Sequence, residues 1–384
     1  MKETMQSIHH KRIDAVFEGK YPEDRFPICE QAFASSVATK IFGRPMLTGS
    51  TELHFQESLA WLKGDAAHED FLGKLYQDTI ELHRFFDYDI FFLPWRLSAK
   101  PIKQIDDFTI AYGNPGEDGY CVRQFDPVSR TYGITESKEL DPDGVIGLLK
   151  KNIELRNREK FHPELNPMLA KTQKEYGSEF VVAGGSGMAV PMQAGWLEAS
   201  ILEPGLFKEW MQINAEDAIA SIEIQHKAGI KIINGGGDFA FNNGPVYSPA
   251  FFDEVMAPQW KRIFDFCRKL GVYYVMRSDG NLWPVAESLF TKCRPHAYYE
   301  IDYDAGMRFN ELRKAFPELV LFGNVSCDLL INGTVDEIRE KTMKCLEAAA
   351  PRYVGASANS ILHGTPTENV FALYDTVKRY KIVK

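Results

Sequence analysis

The alternation of short apolar runs with helical stretches constrains this 384-residue chain more than any other feature. The runs are rich in Val, Ile, Tyr and Phe, which favour buried strands, and most are separated by segments of helical period. Such alternation implies parallel strands joined by right-handed crossovers. The eight strand candidates span residues 26–31, 88–96, 179–187, 231–239, 271–280, 297–304, 318–327 and 352–361.

Eight β/α units that close on themselves predict a single (β/α)8 TIM barrel covering residues 1–384. A prior of about 150 residues per domain would suggest two or three domains, but barrels exceed that prior as single domains. We assign the excess length to a helical N-terminal arm (1–25), helices over 141–175 and a rim insertion (97–140), predicted to be a β-hairpin. A doubly wound open sheet is the rival fold, although no Gly-rich nucleotide-binding turn supports it.

Composition excludes several classes of partner. The formal charge is 44 − 53 = −9, whereas nucleic acids and anionic membranes reward clustered Lys and Arg. No apolar run approaches the roughly 20 residues of a membrane span, and the polar N-terminus lacks a signal-peptide core. The six cysteines are dispersed and form no C-x-x-C pair. We therefore expect a cytoplasmic protein that binds neither nucleic acid nor membrane.

Many polar residues lie at the carboxyl ends of the predicted strands, where barrel enzymes place their active sites. Any one of them can instead be a helix cap or a loop hydrogen bonder. The residues at these ends are Gln31, Trp95, Arg96, Ser186, Asp238, Arg277, Asp279, Asn281, Glu300, Asp302, Asn324 and Asn359, and His363 follows the last strand.

Arg277 and Asp279 are two residues apart on one predicted strand, so both side chains should point to the same side and pair. The pair is either a structural salt bridge or part of an active site. In the second case the guanidinium would keep Asp279 ionised, a poor general acid, and Arg277 would hold a carboxylate or stabilise a phenolate. No two histidines have metal-ligand spacing, so we predict no metal.

Several segments resemble the uroporphyrinogen decarboxylase superfamily, which includes corrinoid methyltransferases. The similarity covers nearly the whole chain, and the order and spacing of its pieces are specific. The resemblance implies a (β/α)8 barrel, in agreement with the strand count. The matching segments are 24–27, 236–266, 275–285, 319–338 and 358–373.

The departures from the family narrow the function. Members that methylate thiols bind zinc through His-x-Cys and a later Cys, and the matching positions here are Arg277, Asp279 and Asn359. A protonated Arg cannot ligate a metal and Asn is a weak zinc ligand. The Arg-rich substrate loop of the decarboxylases is matched by residues 27–36, which contain no Arg, and their tail His is replaced by Asn359.

These departures lead to a hypothesis of methyl transfer from a methoxylated aromatic to the cobalt of a separate corrinoid protein. The chain shows no corrinoid-binding D-x-H-x-x-G segment, so we expect no tightly bound cofactor, and the corrinoid (cobalamin) would arrive on its partner. Arg277, with Tyr303, would stabilise the departing phenolate. The predicted catalytic residues are Arg277, Asp279 and Asp238, and the predicted substrate-binding residues are Arg96, Trp95, Glu300, Tyr303, Asn324, Asn359 and His363.

Two alternatives remain open. The first is a cofactor-free decarboxylase in which Arg277 holds a carboxylate substrate and Asp238 or Asp279 stabilises charge. The second is a barrel without catalytic activity that is retained for binding.

Overall fold

The computed structural model describes residues 6–117 and 119–382. The strands in this part of the chain are β1 (Ile90–Phe91), β2 (Pro101–Gln104), β3 (Thr109–Tyr112), β4 (Cys121–Asp126), β5 (Thr131–Ser137), β6 (Val181–Gly185), β7 (Ile232–Gly236), β8 (Ala240–Phe241), β9 (Gly244–Pro245), β10 (Tyr273–Arg277), β11 (Ala297–Tyr299), β12 (Val320–Phe322) and β13 (Tyr353–Val354).

Helices surround these strands, and none of the described ones is both long and apolar enough to cross a membrane. They are α1 (Ile8–Phe17), α2 (Ser35–Phe42), α3 (Thr51–Leu62), α4 (Asp65–Phe86), α5 (Pro142–Arg158), α6 (Pro167–Tyr176), α7 (Ala194–Leu202), α8 (Pro204–Lys227), α9 (Pro249–Phe251), α10 (Ala257–Leu270), α11 (Phe309–Ala315), α12 (Cys327–Asn332), α13 (Val335–Ala349) and α14 (Thr367–Arg379), with π-helical turns at Phe252–Met256 and Glu287–Cys293 and a 3-10 turn at Trp283–Val285.

The main sheet is parallel and closes into a barrel. Seven strands pair in the order β1-β6-β7-β10-β11-β12-β13. The segment around Ile28 fills the gap between the two edges: the Ile28 carbonyl accepts from the Asp89 amide at 2.7 Å, and the Cys29 amide donates to Gly355 at 2.9 Å. Seven of the eight predicted strand candidates therefore contribute one strand each, and residues 26–31 complete the ring through the backbone contacts of the Ile28 segment. The predicted barrel is confirmed.

The barrel strands are buried on both faces, as expected for parallel strands covered by helices. Ile233, Tyr298 and Leu321, each from a different strand, are fully inaccessible to solvent. The core therefore occupies both the barrel interior and the layer between the sheet and its helices.

The N-terminal arm lies across the end of the barrel where the strands begin. Residues 1–5 of the predicted arm lie outside the described residues, and α1 forms half of the rest. The Ser7 hydroxyl donates to the Glu179 carbonyl, just before β6, at 2.9 Å, and Phe17 stacks on Tyr273 of β10 with ring centroids 4.1 Å apart. The arm thus covers the end of the barrel opposite the strand termini that carry the candidate site.

The rim insertion is larger than the predicted hairpin. Strands β2, β3, β4 and β5 form a four-stranded antiparallel sheet that packs on α3, where Phe55 stacks against Phe125 at 4.4 Å. The segment that contains Asn114 and Gly116 joins two of these strands, β3 and β4. The hairpin of β3 and β4 is present, but the prediction missed that the sheet has four strands. Strand β2 is short, begins with Pro101 and is mostly exposed, so it lacks the apolar alternation of a half-buried strand.

Candidate active site

The register of three neighbouring strands gathers the charged residues at the carboxyl end of the barrel. Arg277, the last residue of β10, pairs with Gly236 of β7 on one side and with Tyr299 of β11 on the other. Asp238 and Glu300 follow those partners within two residues, and Asp279 follows Arg277. We define the mouth cluster as Gln31, Asp238, Arg277, Asp279, Glu300 and Asn359.

Arg277 pairs with Glu300 rather than with Asp279. Its Nη1 atom lies 3.2 Å from Glu300 Oε1 and 3.3 Å from Gln31 Oε1, and Gln31 Nε2 donates to the same Glu300 oxygen at 2.6 Å. The predicted Arg277–Asp279 pair was wrong because β10 ends at Arg277. Ser278 is then completely buried and Gly280 has φ +82°, so strand alternation does not continue.

Asp279 is held by an amide instead of a guanidinium. Asn359 Nδ2 donates to Asp279 Oδ2 at 2.7 Å, and the Ser360 hydroxyl donates to Asn359 Oδ1 at 2.6 Å. The Asp279 backbone amide donates to Asp238 Oδ1 at 3.1 Å. The second oxygen of the Asp279 carboxyl has no hydrogen bond to the described residues and is available to a ligand.

The surroundings of Asp279 raise its pKa to about 7, first through burial and then through the negative charges of Glu300, Asp238 and Asp302. The prediction that Asp279 is fully ionised and a poor general acid was therefore wrong. Its physical premise, a neighbouring guanidinium, fails because that guanidinium is paired with Glu300. A carboxyl with this pKa carries a transferable proton near neutral pH.

Glu300 is the buried member of the mouth cluster. Burial raises its pKa, although Arg277 and Gln31 act in the opposite direction. Its backbone has φ +63°, a left-handed conformation that costs a residue other than glycine about 1 kcal/mol or more. The contacts to Gln31 and Arg277 hold Glu300 in this strained conformation, as is frequent at functional sites.

Asn324 and Tyr303, both predicted to bind substrate, have other contacts. Asn324 Nδ2 donates to the carbonyls of Ile301 and Met307 at 3.0 and 3.1 Å, and its Oδ1 accepts from Lys341 at 3.2 Å. The same ammonium lies 3.3 Å from the ring centroid of Tyr303. Asn324 therefore fastens the loop that follows Glu300, and its predicted role in substrate binding stays a prediction.

Trp95, Arg96 and His363 have no described contact with the mouth cluster. Arg96 hydrogen-bonds Glu57 of α3, and the Trp95 side chain is 73% exposed. His363 Nδ1 lies 2.8 Å from the Ser36 hydroxyl. Their predicted roles in substrate binding stay predictions.

Little in the sequence indicated that Gln31 and its neighbour Glu30 are important at the candidate site. Gln31 was only one of several strand-end residues, yet it joins Arg277 and Glu300. Glu30 is buried and accepts from Tyr299, Tyr374 and the backbone and hydroxyl of Ser357. Burial raises the pKa of Glu30 to about 7. The signal for both was a Glu-Gln pair at the end of an otherwise apolar strand.

The three positions that match the zinc ligands of thiol methyltransferases do meet at this mouth. Their chemistry does not fit a zinc ion, since Arg277 is a permanent cation and Asn359 uses its amide group on Asp279. Within residues 6–117 and 119–382, no three His, Cys, Asp or Glu side chains form a group that could hold a metal. The absence of a metal from the working enzyme stays a prediction.

Comparisons with known proteins identify the class. The uroporphyrinogen decarboxylase (URO-D) family model matches residues 169–380, which is more than half of the chain. This protein therefore belongs to the uroporphyrinogen decarboxylase family. The match covers β6 to α14 and so includes every residue of the mouth cluster except Gln31.

Among solved structures, the chain is similar to a methyltransferase from Methanosarcina mazei, with a TM-score of 0.63 and 18% identity over 97% of this chain and 98% of that one. It also matches a D-psicose 3-epimerase from Clostridium cellulolyticum H10, with a TM-score of 0.29 and 13% identity over 62% and 91% of the two chains. The first likeness shows the fold along the whole chain, and the second is too weak to add to it. No curated protein matches the sequence.

Proposed function

We propose that this protein is a methyltransferase component that moves a methyl group from a methoxylated aromatic compound to the cobalt of a separate corrinoid protein. The observation that carries the proposal is Asp279, a carboxyl with a pKa of about 7 that is oriented by Asn359 at the mouth of the barrel. An ether oxygen leaves readily only if it receives a proton or equivalent stabilisation. Asp279 supplies that proton.

The proposed step couples methyl transfer to proton donation by Asp279. The bond between the methyl carbon and the ether oxygen breaks, and the oxygen keeps the bonding electrons and takes the Asp279 proton. The methyl group passes to Co(I) of the corrinoid, a substrate in this reaction, which supplies the electron pair of the new cobalt–carbon bond. Solvent then reprotonates Asp279. Proton donation of this kind contributes about 10²–10⁴-fold to a rate.

The Arg277 guanidinium has N–H donors that no described residue uses and that could therefore bind the substrate. Its Nη1 atom is shared between Glu300 and Gln31, while no hydrogen bond joins its Nη2 atom to another described residue. A substrate oxygen that accepts from Nη2 would form a charge-assisted hydrogen bond. Arg277 thus stabilises negative charge on the departing oxygen next to the acid that protonates it.

The charge of the site favours methyl transfer over the alternative decarboxylation. A carboxylate substrate needs a cation, but Arg277 already faces Glu300. The charges that act most strongly on Asp279 are those of carboxylates. A neutral methyl ether avoids the repulsion that a carboxylate would meet there. The chain also shares its fold with a methyltransferase from Methanosarcina mazei, which supports the same choice. The family model is named for a decarboxylase and does not favour either reaction.

The test is to incubate the purified protein with cob(I)alamin and a panel of methoxyphenols and to follow the spectrum of methylcobalamin. We expect methylcobalamin and the demethylated phenol in equal amounts, and about 100-fold slower formation with Asp279→Asn. Asp70→Asn, an exposed acid on α4, is the matched control. If every methoxyphenol fails, or if carbon dioxide is released from a carboxylate without cobalamin, the proposal is wrong.

A further inference from the structure

The mouth of the barrel carries four carboxylates on three adjacent strand ends: Asp238 after β7, Asp279 after β10, and Glu300 and Asp302 after β11. The register brings them together, because Gly236, Arg277 and Tyr299 lie side by side in the sheet. Burial raises the pKa of Tyr298, and the charges of the same four carboxylates raise it further. The Tyr298 hydroxyl donates to the Ser278 carbonyl at 3.0 Å. The four carboxylates therefore lie at the same edge of the barrel.

The cationic charge at this place is already compensated. Arg277 forms its ion pair with Glu300. Within the described part of the chain, no ion pair joins Asp238, Asp279 or Asp302 to a Lys or Arg side chain. A ligand that enters the mouth consequently meets a surplus of negative charge.

Two of the carboxylates are held in place by backbone amides. Asp302 Oδ1 accepts from the amides of Asp304 and Ala305 at 3.0 Å each, and Asp238 Oδ1 accepts from the Asp279 amide. The second oxygen of each carboxylate has no hydrogen bond to another described residue. A fixed carboxylate oxygen without a donor is suited to accept from a hydroxyl group, and such charge-assisted bonds are short and strong.

We propose, resting on the function proposed above, that Asp238 and Asp302 select methoxyarenes that are neutral and carry a free hydroxyl group, and that they exclude those that carry a carboxylate. A hydroxyl group would donate to one of these two oxygens. A carboxylate would face like charges at the rim of the barrel, where repulsion over a few ångströms is stronger near the protein surface than in bulk water. The selectivity thus comes from attraction to one substituent and repulsion of the other.

The sharpest test uses two ligands that differ in charge but hardly in shape, 4-hydroxy-3-methoxybenzamide and 4-hydroxy-3-methoxybenzoate. Their dissociation constants are measured by calorimetry at pH 7.5 and low ionic strength. We expect the amide to bind at least about tenfold more tightly, which corresponds to about 1.4 kcal/mol. The analogue 3-methoxybenzamide, which lacks the hydroxyl group, should bind more weakly than its hydroxylated counterpart.

Variants assign the effect to the two residues. Asp238→Asn and Asp302→Asn keep an oxygen that accepts from the backbone amides but remove the charge, so the folding contacts are retained. Each should bring the two dissociation constants closer together, and the double variant should bring them closest. Asp70→Asn on α4 should leave the ratio unchanged.

The outcomes separate this inference from the proposed function. If the benzoate binds as tightly as the amide, or if neither ligand binds, the inference is overturned. Methyl transfer to cob(I)alamin from the benzoate in preference to the amide would also overturn it while supporting the proposed function. Selective binding of the amide without any methyl transfer would support the selectivity and contradict the proposed function.

Discussion

Two acidic centres at opposite ends of this barrel have opposite surroundings. Asp89, which directly precedes β1, is fully buried, and its carboxylate faces Arg12 at 3.0 Å, Arg25 at 2.7 Å and His9 at 2.9 Å. Hydrogen bonding to His9 and the charges of the two arginines lower its pKa against the effect of burial. Asp279, beyond β10, is surrounded by other carboxylates, and its pKa is raised to about 7.

The different surroundings of Asp89 and Asp279 indicate that one end of the barrel stabilises the fold and the other carries the candidate active site. At the end of the barrel covered by α1, the charges compensate each other and hold the N-terminal arm to the first strands. At the mouth they do not, so the fold keeps an acid partly protonated at the cost of some stability. Barrels commonly divide these tasks between their two ends in this way.

The largest effect should come from removing the compensated charge. Asp89→Ala removes the buried carboxylate that Arg12 and Arg25 share and leaves them only their half-exposed partners Asp24 and Asp87. We expect the free energy of unfolding to fall by about 3 kcal/mol. Denaturant unfolding followed by circular dichroism measures this value. Asp375→Ala, which breaks an exposed pair with Arg379, should cost less than about 1 kcal/mol. Equal losses for the two variants would contradict the contrast between the two centres.

Removing the uncompensated charge should have the opposite signature. Asp279→Asn should slow methyl transfer to cob(I)alamin by about 100-fold because the proposed proton donor is lost. The free energy of unfolding at pH 8 should stay equal or rise, since a repelled carboxylate is replaced by a neutral amide of the same shape. A variant that is inactive and also strongly destabilised would show that Asp279 is a structural residue.

The fold could be predicted from the sequence more fully than the contacts within the candidate site. Eight apolar runs sufficed for the barrel because burial of parallel strands leaves a strong local pattern. The Arg277–Glu300 contact joins two strands, and its choice over Asp279 depends on where β10 ends and on the register with β11. Neither the end of β10 nor the register with β11 can be predicted from the few residues around Arg277.

The wrong prediction for the pKa of Asp279 followed directly from pairing Arg277 with Asp279 instead of Glu300. Once the guanidinium was assigned to the wrong carboxylate, the pKa of Asp279 was predicted to shift in the wrong direction. Asn324 shows a different limit: its place at a strand end was predicted, but its three contacts with Ile301, Met307 and Lys341 come from residues distant in sequence.

The pH dependence of stability should distinguish the two centres by its sign. The native pKa of Asp279 is higher than its unfolded value, so its stabilising contribution is complete below about pH 4 and is lost as the pH rises through about 7. The native pKa of Asp89 is lowered, so its contribution is present above about pH 4 and is lost on acidification. Urea midpoints between pH 3 and 8 measure both.

Variants separate the two contributions. Relative to the unaltered protein, Asp279→Asn should gain stability as the pH rises from 4 to 8, by about 1 kcal/mol or more. A constant difference across this range would mean that Asp279 has an ordinary pKa.

The smallest effect concerns the partner of the acid. The hydrogen bond from Asn359 lowers the pKa of Asp279, so Asn359→Ala should raise the pH at which the methyl-transfer rate is half-maximal. The rate itself should fall a few-fold because the carboxyl is no longer oriented. Asn332→Ala, on the exposed end of α12, should change neither value. A downward shift with Asn359→Ala would contradict the role of this amide.

The most direct measurement is the pKa of Asp279 itself. Carboxyl ¹³C resonances of aspartate-labelled protein are followed from pH 3 to 9, and Asp279→Asn identifies the signal by its disappearance. We predict a midpoint at about 7 for this signal, whereas exposed aspartates titrate at about 4. A midpoint at or below 4 for Asp279 would contradict its role as the proton donor of this barrel.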